Sequence, residues 1–139
     1  MRNLFSLTTM ALLISIAAIA CSKSEEQASG VESVADSAVS SAISKERRSK
    51  AIKLNNEGLK YFEAGELLKA KRFFDQAVIA NSELASAYGN RGMAFSGLGE
   101  YEKALKDINQ GIKLDPSRAI FYSNRATVEF QQGRFEAAT

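Results

Sequence analysis

The sequence contains no histidine and no tryptophan, a single proline, Pro116, and a single cysteine, Cys21. Without histidine, the chain can form neither a catalytic triad that uses this residue as its base nor a zinc site with histidine ligands. One cysteine excludes a disulfide within the chain and a metal site built from several thiolates. The 18 Lys and Arg residues nearly balance 16 Asp and Glu residues, so the net charge of +2 gives no reason to expect nucleic-acid binding. We therefore predict no cofactor, no metal and no nucleic-acid partner.

The first twenty residues have the layout of a secretory signal peptide. Arg2 supplies a positive charge, and an uncharged, mostly apolar run follows from Leu4 to Ala20. That run is at the short end of the roughly 17 to 25 residues that a membrane-spanning helix needs. Removal of residues 1–20 is therefore favoured over their retention as a signal anchor.

The sole cysteine stands where the apolar run ends. Residues 18–21, Ala-Ile-Ala-Cys, resemble the lipobox of bacterial lipoproteins, in which the cysteine sulfur receives a diacylglyceryl group. The resemblance implies lipidation of Cys21 and anchoring by acyl chains, since each buried methylene contributes about 0.8 kcal/mol. Enterobacterial lipoproteins that stay at the inner membrane favour aspartate at the next position, so Ser22 implies the outer membrane. The alternative is that Cys21 ends the apolar run by chance.

Residues 21–50 are predicted to connect this anchor to a folded domain. The stretch 22–44 holds eight serines and no aromatic residue, so it cannot bury enough surface to offset its ordering entropy and should be a flexible tether. A small apolar stripe between Val31 and Ile43 leaves open a marginal helix. The charged run from Lys45 to Lys50 predicts the solvated start of a helix, with phospholipid headgroup contact as the alternative.

From residue 51 onward the chain repeats itself every 34 residues. Residues 51–84 and 85–118 share eight identities, and residues 119–139 match the second unit at seven positions. Each unit has apolar residues at helical spacing on both sides of a glycine, which predicts two antiparallel helices of about 13 residues joined by a glycine turn. A unit cannot bury its apolar face alone, so the units must stack. The third unit should begin its second helix at Phe135.

These units resemble the tetratricopeptide repeat family. The family's pattern of a bulky residue, glycine, aromatic, alanine, aromatic and alanine appears in the first unit as Leu54, Gly58, Tyr61, Ala70, Phe74 and Ala77. The second unit reads Tyr88, Gly92, Phe95, Ala104, Ile108 and Gly111, followed by Pro116, and the third reads Tyr122, Ala126 and Ala138. The resemblance implies an all-α solenoid of two full repeats, 51–84 and 85–118, and a partial third, 119–139.

In this family the first helices of successive units line a groove that holds an extended peptide or a partner's helix. The resemblance implies peptide-binding roles for Asn55, Asn56, Leu59, Phe62, Asn90, Met93, Asn124 and Thr127, with Ile52, Ser96, Ile120 and Ser123 at neighbouring groove positions. An asparagine amide can both donate to and accept from a peptide backbone. The alternatives are that the recurring asparagines bond to one another between helices and that Leu59, Phe62 and Met93 belong to the core.

One branch of the family binds the acidic C-terminal tail of chaperones through a clamp of two Lys, two Asn and an Arg. The corresponding positions here are Asn55, Leu59, Asn90, Ile120 and Asn124, and Asn90 alone agrees with the clamp. A groove without those cations cannot compensate a desolvated carboxylate, so we predict that this chain does not belong to that branch.

Nothing in the sequence places two carboxylates in an apolar cleft, so we predict no enzymatic activity and no small-molecule substrate. We expect a lipid-anchored adaptor that binds a protein or peptide partner in the bacterial cell envelope, at the outer membrane facing the periplasm. The alternative is the N-terminal fragment of a longer envelope protein whose remaining part carries more repeats or a hydrolase domain.

Overall fold

The computed structural model describes residues 36–138, and in this part of the chain every regular element is an α-helix. The predicted signal peptide, Cys21 and residues 22–35 lie outside the described residues. The prediction of an all-α fold is confirmed. Five helices follow one another: α1 over residues 36–63 of the described chain, α2 Leu67–Ala80, α3 Ala85–Gly97, α4 Tyr101–Leu114 and α5 Ala119–Ala138.

The repeats lie in a compact unit that begins at Ser44, and the described residues before it, 36–43, belong to a separate unit. Within the repeat unit, α3 contacts α2, α4 and α5, and α4 contacts α5. Helices that are neighbours in sequence are therefore neighbours in space, as expected for a stack of helical hairpins.

The two hairpin turns are built in the same way. Gly65 and Gly99 both have positive φ, 76° and 78°, which an L-residue with a side chain rarely adopts. Their amides donate to the carbonyls of Phe62 and Ser96, three residues earlier, while the next amides reach back five residues. This is the Schellman arrangement, which satisfies the free carbonyls at a helix end. The glycine turn predicted from the repeat is confirmed at both positions.

The turns between repeats also share one design. The Asn81 side-chain oxygen accepts the amide of Glu83 at 3.0 Å, and 34 residues later the Asp115 carboxylate accepts the amide of Ser117 at 3.3 Å. In both turns, the side-chain oxygen of a short polar residue accepts a hydrogen bond from the backbone amide two residues later. The helix α4 ends at Leu114, two residues before Pro116.

Small residues stand where helices approach most closely. Ala70 and Ala104 are fully buried, and a Cβ added to Gly92 would lie 2.8 Å from Ile108 Cγ1 and 3.0 Å from the Ala104 carbonyl oxygen. Larger side chains fill the space between them, which is how a helical core reaches close packing. The core forms two clusters, one of Ala70, Phe74 and Ala94 and one of Ala85, Phe95, Ala104, Ile108, Phe121 and Val128.

The described residues differ from the expectation in two places. Residues 45–50 are helical, as the charged run predicts, but so are residues 36–44, where the serine-rich composition predicts a flexible tether; every side chain in both segments is exposed. They continue a helix already nucleated by the packed residues of α1, and extending a helix is far easier than starting one. The marginal helix left open by the apolar stripe is what this segment forms.

The second difference concerns the third unit. α5 continues through Gly133 to Ala138 instead of turning there, so no separate helix begins at Phe135. Gly133 is not among the glycines with positive φ. Without the positive φ of a glycine turn at this position, the backbone stays helical and each further residue adds one hydrogen bond to α5.

Candidate functional site

The first helices of the three units stand side by side and form one wall of polar contacts. The Asn90 amide on α3 donates to the side-chain oxygen of Asn55 on α1 at 2.9 Å, and the Ser96 hydroxyl donates to Gln131 on α5. Both bonds join residues 35 positions apart. Because the repeat is 34 residues long, each bond joins a residue to the position one beyond its equivalent on the next first helix.

A cleft of about 370 Å³ lies on this wall. Side chains from α1, α3 and the start of α5 contribute to it, so that it crosses all three units. Its lining residues are Ile52, Asn55, Asn56, Leu59, Ser86, Asn90, Arg118, Ile120, Phe121 and Asn124. Five of the residues predicted from the sequence to bind peptide are thus brought together: Asn55, Asn56, Leu59, Asn90 and Asn124.

The recurring asparagines do not all behave alike. Asn90 is half-buried and held by Asn55, which is itself 6% exposed, so this pair follows the alternative of a bond between adjacent first helices. Asn56 is exposed and Asn124 is half-buried, and neither amide has a hydrogen-bond partner among the described residues. Two amides that line the cleft therefore remain available to a backbone laid across it.

The three other predicted residues lie outside the cleft. Phe62 packs against the cluster around Phe74, and Met93 packs against the cluster around Ile108. The Thr127 hydroxyl donates to the backbone carbonyl of Ser123 one turn earlier on α5. The structure therefore places Phe62 and Met93 with the core, as helical apolar spacing also allows.

The cleft also contains a cation, Arg118, that is not among the groove positions implied by the family resemblance. Arg118 stands immediately before α5, and its guanidinium lies over the Phe121 ring at 5.6 Å from the centroid. Its ion pair with Asp115 is long, 3.7 Å, and both side chains are well exposed, so this pair holds the guanidinium weakly. The repeat pattern gives no signal for Arg118, because this residue is the last of unit two and precedes the helix that carries the groove positions of unit three.

A second arginine has a structural role. Arg91 on α3 forms two bonds with the Asp107 carboxylate on α4, at 2.6 and 2.9 Å, and one with Asp75 on α2 at 2.9 Å. The hydrogen bond to Asp107 is the main cause that raises the pKa of Arg91 above its usual value. One side chain therefore joins the three helices α2, α3 and α4.

The described residues contain no group of three or more His, Cys, Asp or Glu side chains that could hold a metal ion. Between residues 36 and 138, none of the helices combines the length and apolar character required to cross a membrane.

Comparison with known proteins agrees with this architecture. Residues 85–118 match the tetratricopeptide repeat, or TPR, family. The second repeat unit of this chain is therefore a TPR repeat. Solved TPR domains share its fold: the second TPR domain of Spaghetti (RPAP3), bound to the HSP90 peptide SRMEEVD, is 27% identical with a TM-score of 0.61, over 67% of this chain and 85% of that one. No curated protein sequence matches the chain.

Two further TPR structures are similar. The second TPR domain of human RPAP3, in complex with the HSP70 peptide SGPTIEEVD, is 28% identical with a TM-score of 0.59, over 66% of this chain and 77% of that one. The Arabidopsis OM64 TPR domain is 22% identical with a TM-score of 0.60, over 65% of this chain and 74% of that one, which shows the fold alone. TPR domains that hold short peptides are therefore among the structures that this chain resembles.

Proposed function

We propose that this TPR protein is a lipid-anchored adaptor of the bacterial cell envelope that binds a segment of a partner protein in its cleft and performs no chemistry of its own. The observation that carries the proposal is the pair of cleft amides, Asn56 and Asn124, that have no partner among the described residues. They stand on different units, so a ligand must cross the stack to use both.

The cleft suits an extended peptide. Each amide can donate to a backbone carbonyl and accept a backbone N–H, which is how a peptide is held independently of its side chains. Leu59 is half-buried and Ile120 is 56% exposed, and both offer apolar surface beside the amides. The ligand should therefore carry an apolar side chain flanked by accessible backbone.

Arg118 refines the expected ligand. A guanidinium in a cleft can form a charge-assisted hydrogen bond with a carboxylate, and Arg118 is the one cation among the lining residues. The peptides bound by the RPAP3 domains end in Glu-Glu-Val-Asp and bring several carboxylates together. One cation compensates one of these and leaves the others desolvated. We propose a partner segment with a single carboxylate and weak binding of SRMEEVD.

The proposed location rests on the N-terminal sequence. The apolar run from Leu4 to Ala20 followed by Cys21 is that of an exported and acylated protein, and Ser22 supports the outer membrane. An anchored TPR domain facing the periplasm would meet envelope proteins and their exposed segments.

The test uses a photo-crosslinking amino acid inserted at Ile120, in the cleft, and at Leu68 on α2, which is 67% exposed and outside it. In bacteria expressing the full chain, we expect a discrete adduct from position 120 and none from position 68. The double variant Asn56→Ala, Asn124→Ala should weaken the adduct about tenfold or more, since each lost hydrogen bond is worth roughly 0.5 to 1.5 kcal/mol.

The matched control is Gln76→Ala, which removes an exposed amide on α2 outside the cleft. It should leave the adduct unchanged. An adduct that forms equally in the double variant, or equally from position 68, would refute the assignment of the cleft.

A further inference from the structure

The cations of the chain are unevenly paired. Five of them, between Lys45 and Lys53 on α1, form no ion pair with any described residue: Lys45, Arg47, Arg48, Lys50 and Lys53. From Lys60 onward, seven of the eleven described Lys and Arg residues have a carboxylate partner. Glu46 is the one acidic residue within the segment 45–53. The beginning of the repeat unit therefore carries a concentrated positive charge that forms no ion pair with the described carboxylates.

An exposed aliphatic side chain stands next to these cations. Lys45, Arg47 and Arg48 line a surface depression together with the end of α2 and the turn that follows, residues 79–83. Ile79 lies in that lining and is 84% exposed, more than any other large apolar side chain of the described residues. Glu83 is the one carboxylate in the lining. We call Lys45, Arg47, Arg48 and Ile79 the basic–apolar patch.

We propose that the basic–apolar patch docks on an anionic phospholipid surface, with the three cations on headgroup phosphates and Ile79 inserted among the lipids. Negative lipid surfaces attract clustered Lys and Arg side chains, and an apolar side chain beside them gains by leaving water for the acyl region. This proposal rests on the membrane location proposed above. It adds an orientation: the domain lies against the bilayer through this patch.

The position of Ile79 favours lipid over an acidic macromolecule. A soluble polyanion would use the three cations and leave the aliphatic side chain in water, where an isolated exposed isoleucine has no function. A bilayer surface satisfies both parts of the patch, because its phosphates and its acyl chains are separated by only a few ångströms of depth. The depression and the cleft share no lining residue, so docking and peptide binding use different side chains.

The chain offers a direct probe because it contains no tryptophan. In the full chain carrying Ile79→Trp, reconstituted into phosphatidylcholine vesicles with or without phosphatidylglycerol, the new residue is the only tryptophan. We expect its emission to shift to the blue and to be quenched by brominated acyl chains in the vesicles that contain phosphatidylglycerol. In neutral vesicles, and at high salt, quenching should be several-fold weaker.

Two controls match this probe. Leu68→Trp places the tryptophan at the other end of α2, at a side chain that is 67% exposed, and should be quenched in neither kind of vesicle. In the Ile79→Trp background, Arg47→Glu with Arg48→Glu should abolish the quenching. Lys106→Glu with Lys113→Glu changes the net charge equally at exposed α4 positions outside the patch, and should preserve it.

Equal quenching of Ile79→Trp in the two vesicle types, or none in either, would overturn the proposal. Binding of soluble polyglutamate that is lost in the Arg47→Glu, Arg48→Glu variant, without quenching of Ile79→Trp, would assign the patch to an acidic protein and overturn it too. An unlipidated Cys21 or the absence of a cleft adduct would refute the proposed function instead. In either case the quenching of Ile79→Trp could still be measured, because the full chain used in the vesicles keeps the apolar run from Leu4 to Ala20 and needs no acylation to associate with them.

Discussion

Arg91 shows how a single residue can hold a repeat stack together. Its guanidinium contacts carboxylates from the helices on both sides of α3, and its side chain is only 18% exposed. The equivalent residue one repeat later, Arg125, makes the corresponding bond to Asn109 at 3.3 Å and a long ion pair with Glu129 at 3.8 Å. The contact therefore recurs at the same repeat position. Arg91 is largely buried and binds two carboxylates on neighbouring helices, whereas Arg125 is more exposed and bonds to the neutral Asn109 on the preceding helix.

We predict that Arg91→Met lowers the free energy of unfolding by about 2 to 3 kcal/mol. Removing one partner of a largely buried pair leaves the Asp107 carboxylate, whose side chain is 10% exposed, without compensation. Arg125→Met, at the same repeat position but more exposed, should cost less than about 1 kcal/mol. Urea unfolding followed by circular dichroism measures both values. Equal effects of the two variants would show that the Arg91 bonds do not contribute as the geometry indicates.

At the scale of the helices, the same repeat position meets different surroundings in each unit. Gly58 and Gly92 are buried against the second helix of their own unit, whereas Ala126 on α5 is exposed. Tyr122 and Phe130 on the same helix are also exposed, 41% and 65%. The cause is that α5 continues past Gly133, so no second helix of a third unit covers this face in the described chain.

The different burial of Gly92 and Ala126 allows the same substitution to be compared at one buried and one exposed position of the repeat. Gly92→Leu should destabilise the fold by roughly 1 to 3 kcal/mol or more, because even a Cβ would meet Ile108 and the Ala104 backbone. Ala126→Leu, at the equivalent position, should change stability by about 0.5 kcal/mol or less, since an exposed site away from packed contacts tolerates the change. Thermal unfolding of both variants checks the prediction. Comparable losses would mean that the open face of α5 is covered in solution.

The whole molecule combines segments with different tasks. The repeat unit carries the cleft across its three first helices, and the unpaired cations lie at the beginning of the same unit. The N-terminal sequence predicts an anchor, and the exposed helical residues 36–50 precede the packed part of α1. In the proposed arrangement, the lipid anchors the protein at the membrane, the basic–apolar patch orients the repeat unit against the bilayer, and the cleft binds the partner.

We predict that Cys21 is acylated and that residues 1–20 are removed in the mature protein. Cys21→Ser should abolish incorporation of radiolabelled palmitate, and the intact mass of the wild type should exceed that of its mature polypeptide by the lipid. Because several acyl chains make a stable anchor, the wild type should sediment with membranes. A mature protein that begins at any other residue would contradict the lipobox.

The repeat architecture could be predicted because its determinants are local. Apolar spacing indicated the helices, Gly65 and Gly99 indicated the turns, and the 34-residue period indicated that equivalent helices stack. Each of these depends on residues within a few positions of one another or on simple repetition. The segment 36–44 was the exception, because its composition says little about a helix that is extended from its packed neighbour.

Tertiary structure decided which side chains of the cleft are free. Asn56, Asn90 and Asn124 occupy one repeat position, yet only the Asn90 amide is hydrogen-bonded to a neighbouring helix, through Asn55, whereas the other two have no partner among the described residues. Arg118 enters the cleft because the turn before α5 places it there. A hydrogen bond requires a donor and an acceptor about 3 Å apart, and such distances between units follow from how the helices pack. The sequence by itself determined the helices, their order and the turns; the packing of those helices determined which polar groups remain for a partner.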